Sequence, residues 1–362
     1  MTFAFSEEQQ ELRSTAARFL EEKSSSAIVR QLMETDTGFD EGTWKQMADL
    51  GWLGMAIPEE YGGVGFGFVE VLVLLEEMGK KLLPAPYVSS VLFGANAILN
   101  AGSEDQKKEL LPGIADGTTR ATLAFVEPSG RWDIDGIELE AKDGKLTGTK
   151  SYVLDGHTAT LLIVAATNGL YVVDPDAEGV TRTKLETLDM TRKQAKIDFN
   201  NTPATLLGDA ANAKAALQKT LDQAAALLSS EMVGGAQQCL DASTQYAKER
   251  YQFGRPIGSF QAIKHKCANM LMEVEMSRSA AYYAGWAAAE DPEELPLAAS
   301  LAKAYCSDAY FHCAAENIQI HGGIGFTWEH DAHLYFRRAK SSEIYLGDAT
   351  YHRELVAQKL GV

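Results

Sequence analysis

Cysteine is scarce: Cys239, Cys267, Cys306 and Cys313 are the only four in 362 residues. No two stand at C-x-x-C spacing and all fall in helically patterned segments, which points to buried free thiols in a reducing compartment. Positive charge is short too. Against 50 Asp and Glu there are 33 Lys and Arg, a formal charge of −17, which sets nucleic acid and anionic membranes aside as partners. An anionic ligand such as a nucleotide then needs a local basic or amide-lined patch. No apolar run is long enough to span a bilayer. The amino-terminal string Met-Thr-Phe-Ala-Phe-Ser-Glu-Glu has neither a basic nor an apolar targeting region, so a cytoplasmic location is expected. His330 and His333, flanked by Glu329 and Asp331, have no further ligands at zinc spacing, and no metal is expected.

What is present is an ordinary globular composition, 46% hydrophobic and 23% charged, in a chain long enough for two or three lobes. Ser6-Glu-Glu-Gln9 and Ser103-Glu-Asp-Gln106 read as capping boxes that open helices. Thr43–Leu50 and Phe68–Met78 are further helices, stopped by Gly51 and Gly79, and Pro112 closes the element after Ser103. Near Arg120 the pattern changes to short β-favouring runs: 121–126, 137–141, 150–154, 161–166, 170–173, 180–183 and 196–199, separated by turn signals such as Asp143-Gly144. From Ala210 the chain is helical again, with Pro292 and Pro296 marking a break. The expected domains are 1–119 helical, 120–209 β and 210–362 helical, an α+β architecture.

Two stretches carry chemistry. In the first, Arg250-Tyr-Gln-Phe253-Gly254-Arg-Pro256 interrupts two long amphipathic segments, with glycine ending one helix and proline preparing the next. Arginine, glutamine and an aromatic at one break can hold a phosphate and a flat ring together. In the second, Gln319-Ile-His321-Gly322-Gly323-Ile-Gly325 lets a backbone or ligand approach closely. Both strings, with the α–β–α order, resemble the acyl-CoA dehydrogenase family over essentially the whole chain. The resemblance implies an N-terminal helical domain, a middle β-barrel and a C-terminal four-helix bundle. It also implies FAD, held at its adenosine diphosphate end by Arg250, Phe253, Gln319, Gly322 and Gly323 across a subunit boundary. The reaction it implies is α,β-dehydrogenation of an acyl-CoA thioester, with electrons passed to an electron-transfer acceptor and the chain in a homo- or hetero-oligomer, dimer or tetramer.

That chemistry needs a carboxylate in a dry place beside the thioester and polar groups around the flavin ring. Many family members carry the base in an aromatic-Glu-Gly-Thr string, which reads Tyr345-Leu346-Gly347-Asp348 here, so a leucine stands at the base position while Gly347 keeps its place beside the substrate. Others carry it early in the first C-terminal helix, where this chain has Ala224. Glu231, two turns on and roughly 10 Å along the axis, is the candidate base. The family's Thr-Glu-Pro-x-x-Gly-Ser-Asp string becomes Val126-Glu127-Pro128-Ser129-Gly130-Arg131-Trp132-Asp133, and Trp-Ile-Thr becomes Tyr152-Val153-Leu154. Val126, Trp132 and Leu154 thus replace hydroxyls, at about 1–3 kcal/mol for each lost donor. The asymmetry suggests two functions: an acyl-CoA dehydrogenase using Glu231, or a catalytically degenerate subunit completing the FAD site of a second chain. Some family members of the second kind act on steroid-derived acyl-CoAs.

Overall fold

A computed structural model describes residues 5–362. Its first part is helical: α1 (Glu7–Lys23), α2 (Ser26–Met33), α3 (Glu41–Asp49), α4 (Phe68–Lys80), α5 (Asn96–Ala101) and α6 (Glu104–Ala115). Both capping boxes form, with Ser6 and Gln9 exchanging bonds, and Ser103 and Gln106 doing the same. Two helices run slightly past their expected stops, α4 to Lys80 and α6 to Ala115. Gly79 lies inside α4, and Pro112 lies inside α6, where Leu111, Ile114 and Ala115 are buried and hold the turn that proline weakens. Before α5 runs a π-helical stretch, Val88–Ala95, buried at every residue; with no polar face it leaves no amphipathic period to read.

Seven strands follow: β1 (Ala121–Ala124), β2 (Lys145–Leu154), β3 (Leu161–Ala166), β4 (Gly169–Val173), β5 (Val180–Lys184), β6 (Gln194–Pro203) and β7 (Thr205–Leu206). They form two sheets, ordered β1-β3-β4-β7 and β2-β6-β5, with β1–β3 the parallel pair. Leu146, Val153, Leu162, Val164, Ile197 and Phe199 fill the core between alternating outward residues. The expected strand at 137–141 is absent. Side chains capture its amides instead: Glu127 accepts from Glu138 and Leu139, and Asn168 accepts from Ala141.

Helices resume with α7 (Ala213–Glu249). A two-residue ribbon, β8 (Tyr251–Gln252) and β9 (Arg255–Pro256), leads to α8 (Gln261–Glu290), α9 (Leu295–His321), α10 (Ala332–Ile344) and α11 (Ala349–Leu360). Pro296 sits in the first turn of α9, as the break predicts. Among the described residues, no helix is long and apolar enough to cross a membrane.

By packing the chain divides into two compact units. One gathers the chain up to Arg30, Leu72–Leu83 and Ala225–Val362; the other gathers Gln31–Val71 and Pro84–Ala224. Within the first, α4 and α7 touch backbone to backbone. A Cβ on Gly79 would lie 2.0 Å from the Glu231 carbonyl oxygen, and one on Gly234 1.9 Å from that of Glu76. The Glu76 carboxylate, fully buried, accepts from Arg13 at 3.0 Å, from Tyr282 at 2.6 Å and from Arg278, tying α1, α4 and α8 together.

Candidate functional site

The chain leaves α7 at Glu249, five residues before the glycine expected to end it. Arg250 is followed by the β8–β9 ribbon, whose loop is Phe253 (φ 54°) and Gly254 (φ 79°). Two left-handed residues in a row are what a type I′ hairpin loop demands. A phenylalanine in that conformation is strained by roughly 1–3 kcal/mol. Its ring is 92% exposed and is steadied from the side by Phe260, edge-on at 6.1 Å, while the Arg255 guanidinium covers Phe260 at 4.1 Å.

At the end of α9 Gln319 is exposed, and Gly322 takes φ 65° and ψ −141°, which only glycine adopts without strain. A Cβ on Gly322 or Gly323 would meet nothing within 4 Å, so both backbones are open to a ligand. The ends of α7 and α9 lie side by side. Ser243 Oγ donates to Asn317 Oδ1 at 2.9 Å, and Tyr246 stacks on His321 at 4.3 Å. The five residues assigned to the nucleotide tail thus share one end of the helical unit: a guanidinium, an exposed aromatic face, an amide and two open glycines. Their chemistry fits an adenosine diphosphate moiety.

The turn between α10 and α11 holds Leu346, buried and left-handed at φ 66°, and Gly347 at φ 96°, where a Cβ would come within 2.2 Å of the Tyr351 ring. Asp348 is used as a helix cap, accepting from the Tyr351 amide at 2.8 Å. Buried Lys303 donates to the Gly347 carbonyl at 2.8 Å, and His352 Nε2 to that of Leu346 at 3.0 Å.

Glu231 stands about 28 Å back along α7 from Arg250, so it is not brought to the nucleotide end. Its carboxylate accepts from Arg338 Nη1 at 2.7 Å, and the two residues are 5% and 1% exposed. The pair Arg337-Arg338 suggests a polar helix surface in the sequence, but Arg338 is buried; Lys303, buried too, is a lone cation in the run Leu297–Ala304.

In the other unit Val126 and Leu154 are buried. Trp132 leans between Phe125, at 6.0 Å, and Tyr152, at 6.4 Å. Tyr152 sits at an irregularity in the β2–β6 pairing with φ 57° and is 41% exposed. Here the geometry offers aromatic faces where a flavin ring would be expected to find hydroxyls, so this end does not fit the family pattern. Beneath it Lys150 donates to Glu127 at 2.7 Å. Burial alone would raise Glu127, but Lys150 and two backbone amides outweigh it and hold the carboxyl below its usual range. Burial pushes Lys150 down to about 8. The unfolded chain, with lysine near 10.4, therefore binds more protons between about pH 8 and 10, and this group's contribution to stability rises with pH there. Urea unfolding of the wild type and Lys150→Met should show a stability difference that shifts toward the wild type across that window; a difference constant with pH contradicts the assignment.

Residues 6–118 match the acyl-CoA dehydrogenase N-terminal domain and residues 214–361 the C-terminal domain. The chain is 35% identical over 345 residues to acyl-CoA dehydrogenase IpdE2 of Mycolicibacterium smegmatis, covering 94% of this chain and 95% of that protein. Among solved structures it is similar to the Tcur3481-Tcur3483 steroid ACAD G363A variant, with TM-score 0.88, 31% identity and 98% and 99% of the two chains covered. It is also similar to the ChsE4-ChsE5 complex from Mycobacterium tuberculosis, with TM-score 0.90, 27% identity and 100% and 99% covered. With helical domains flanking a β region and both family domains matched, this chain belongs to the acyl-CoA dehydrogenase family of FAD-dependent oxidoreductases.

Proposed function

We propose that the chain is a subunit of an acyl-CoA dehydrogenase that supplies the nucleotide end of a FAD site and works beside a second chain carrying the general base. The observation that carries this reading is the turn at Leu346. It is shaped and braced as a functional turn, with two left-handed residues and both carbonyls held by side chains, yet it presents a side chain that cannot take a proton.

In this reading the Arg250 guanidinium would hold the pyrophosphate, and the exposed Phe253 ring, Gln319, Gly322 and Gly323 would receive the rest of the adenosine diphosphate. A FAD held there would supply the hydride acceptor for the β carbon of the thioester. The Gly347 turn borders the substrate, and the base acting on the α proton belongs to the partner chain. Glu231 serves as the structural counter-ion of Arg338. The likeness to the Tcur3481-Tcur3483 steroid ACAD supports a bulky steroid-derived acyl-CoA as substrate. A soluble electron-transfer acceptor and a cytoplasmic location complete the reading.

An absorbance spectrum decides it. Purified alone, the chain should carry little FAD; co-expressed with the product of the adjacent gene, the complex should be yellow. Arg250→Ala should weaken flavin retention in that complex by about tenfold or more, since a charge-assisted contact to phosphate contributes roughly 1.5–3 kcal/mol. A fully flavinylated homo-oligomer that turns over acyl-CoA by itself, and loses turnover in Glu231→Gln, refutes the proposal and makes Glu231 the base.

A further inference from the structure

Lys303 is wholly buried on α9, and each of its three N–H groups has an acceptor: Ser307 Oγ at 3.1 Å, the Glu343 carbonyl at 2.9 Å and the Gly347 carbonyl at 2.8 Å. Glu343 lies in the last turn of α10, where helix geometry leaves carbonyls without intrahelical partners. Gly347 lies just past that helix end. One ammonium thus bridges the close of α10 and the approach to α11. From the other side His352 on α11 donates to the Leu346 carbonyl at 3.0 Å. Burial lowers His352 to about 3, so its ring stays neutral at working pH. The remaining ionisable groups facing Lys303 are the Glu343 carboxylate on α10, Asp348 ahead of α11 and Cys306 on α9.

Three carbonyls of a five-residue stretch, at 343, 346 and 347, are therefore satisfied by side chains from α9 and α11. That explains how Leu346 persists at φ 66°. A non-glycine residue holds a left-handed backbone only where its surroundings over-determine it. If the Lys303 bonds are removed, the Glu343 and Gly347 carbonyls are left buried without these donors, and the turn can relax toward right-handed angles.

We propose that Lys303 is a positioning residue for the acyl-CoA reaction: its ammonium holds the Tyr345–Asp348 turn in the strained shape that sets where residue 346 and the Gly347 backbone meet the substrate. This rests on the reading above, in which the turn borders the substrate. Lys303 itself touches neither substrate nor flavin.

The test uses the co-expressed complex with Lys303→Met, which keeps the length of the side chain and removes every donor. Two signals are read. Hydrogen exchange at the Gly347 amide, which donates to the Ile344 carbonyl at 3.0 Å, should speed up by about tenfold or more while amides in the middle of α7 stay within about threefold. Flavin bleaching by acyl-CoA thioesters of graded length should show kcat lowered by about tenfold with KM within about threefold, the pattern of lost alignment, which general loosening of the fold would not give. Unchanged exchange at Gly347 overturns the proposal, and so does a turn that loosens while kcat holds. If Lys303→Met fails to fold, Lys303→Gln takes its place. Its shorter amide replaces the clamp only in part, so exchange at Gly347 should still rise by about threefold, and no rise overturns the proposal. Absence of bleaching in the unsubstituted complex strikes the functional reading instead, and is seen before any variant is made.

Discussion

Arg338→Met should lower the unfolding free energy by about 3–5 kcal/mol, because it takes the ion-pair partner from a buried carboxylate, that of Glu231. Arg338 and Glu231 are 1% and 5% exposed and 2.7 Å apart, so the two charges are held together out of water. The double variant Glu231→Leu with Arg338→Met should recover most of that loss, since replacing both members of a buried pair by apolar groups is often close to neutral. Urea unfolding of the two single variants and the double measures the coupling directly. A coupling below about 0.5 kcal/mol would mean that the pair is not the structural element described here. Measured together with flavin reduction, the same variants also separate the two roles of Glu231. A structural counter-ion loses stability when neutralised; a base loses turnover while the fold holds.

Gly234→Ala should be more severe and leave little folded protein. The added methyl would fall 1.9 Å from the Glu76 carbonyl oxygen, and the mirror-image change at Gly79 would fall 2.0 Å from that of Glu231. Neither neighbour is a flexible side-chain tip; both are helix backbone, so α4 and α7 would have to separate. Separation also pulls on Glu76, whose buried carboxylate depends on Arg13, Tyr282 and Arg278. The expected loss exceeds the 1–3 kcal/mol usual for overpacking, and soluble yield with circular dichroism suffices to read it. Gly323→Ala is the matched control. A Cβ there meets nothing within 4 Å, so the fold should be retained and any effect should appear in flavin retention alone. A stable, native-like Gly234→Ala would show that the two helices do not pack as described.

Local signals were the legible ones. The capping boxes at Ser6 and Ser103 and the proline-marked start of α9 are decided within a few residues, and all three formed. Gly79 was misread because a glycine inside a helix looks like a stop until the partner helix that needs it is known. Residues 137–141 were misread for a similar reason: their strand pattern is sound, but Glu127 and Asn168, eleven or more positions away, take the amides. The residues proposed for the nucleotide, at 250, 253, 319, 322 and 323, were legible in the sequence because they stand in contiguous family strings. The left-handed turns at Tyr152, Phe253 and Leu346 were not, since a bulky residue carries no hint that its surroundings will hold it at positive φ. Nor was the Arg338–Glu231 pair, whose members stand 107 residues apart.

The helical unit is built from three separated stretches of chain, ending at Arg30, spanning Leu72–Leu83 and starting again at Ala225. During translation α1 can dock on α4 early but emerges long before α8, its other neighbour, waiting while about two hundred residues are made. Seventeen residues of isolated helix are marginal in water; Arg13 can meet Glu76 of α4 early, but its Tyr282 partner comes only when the last third of the protein leaves the ribosome. Slower elongation through that last third would lengthen this exposed interval, and a nascent chain stalled before residue 225 should display an amino terminus open to chaperones and proteases.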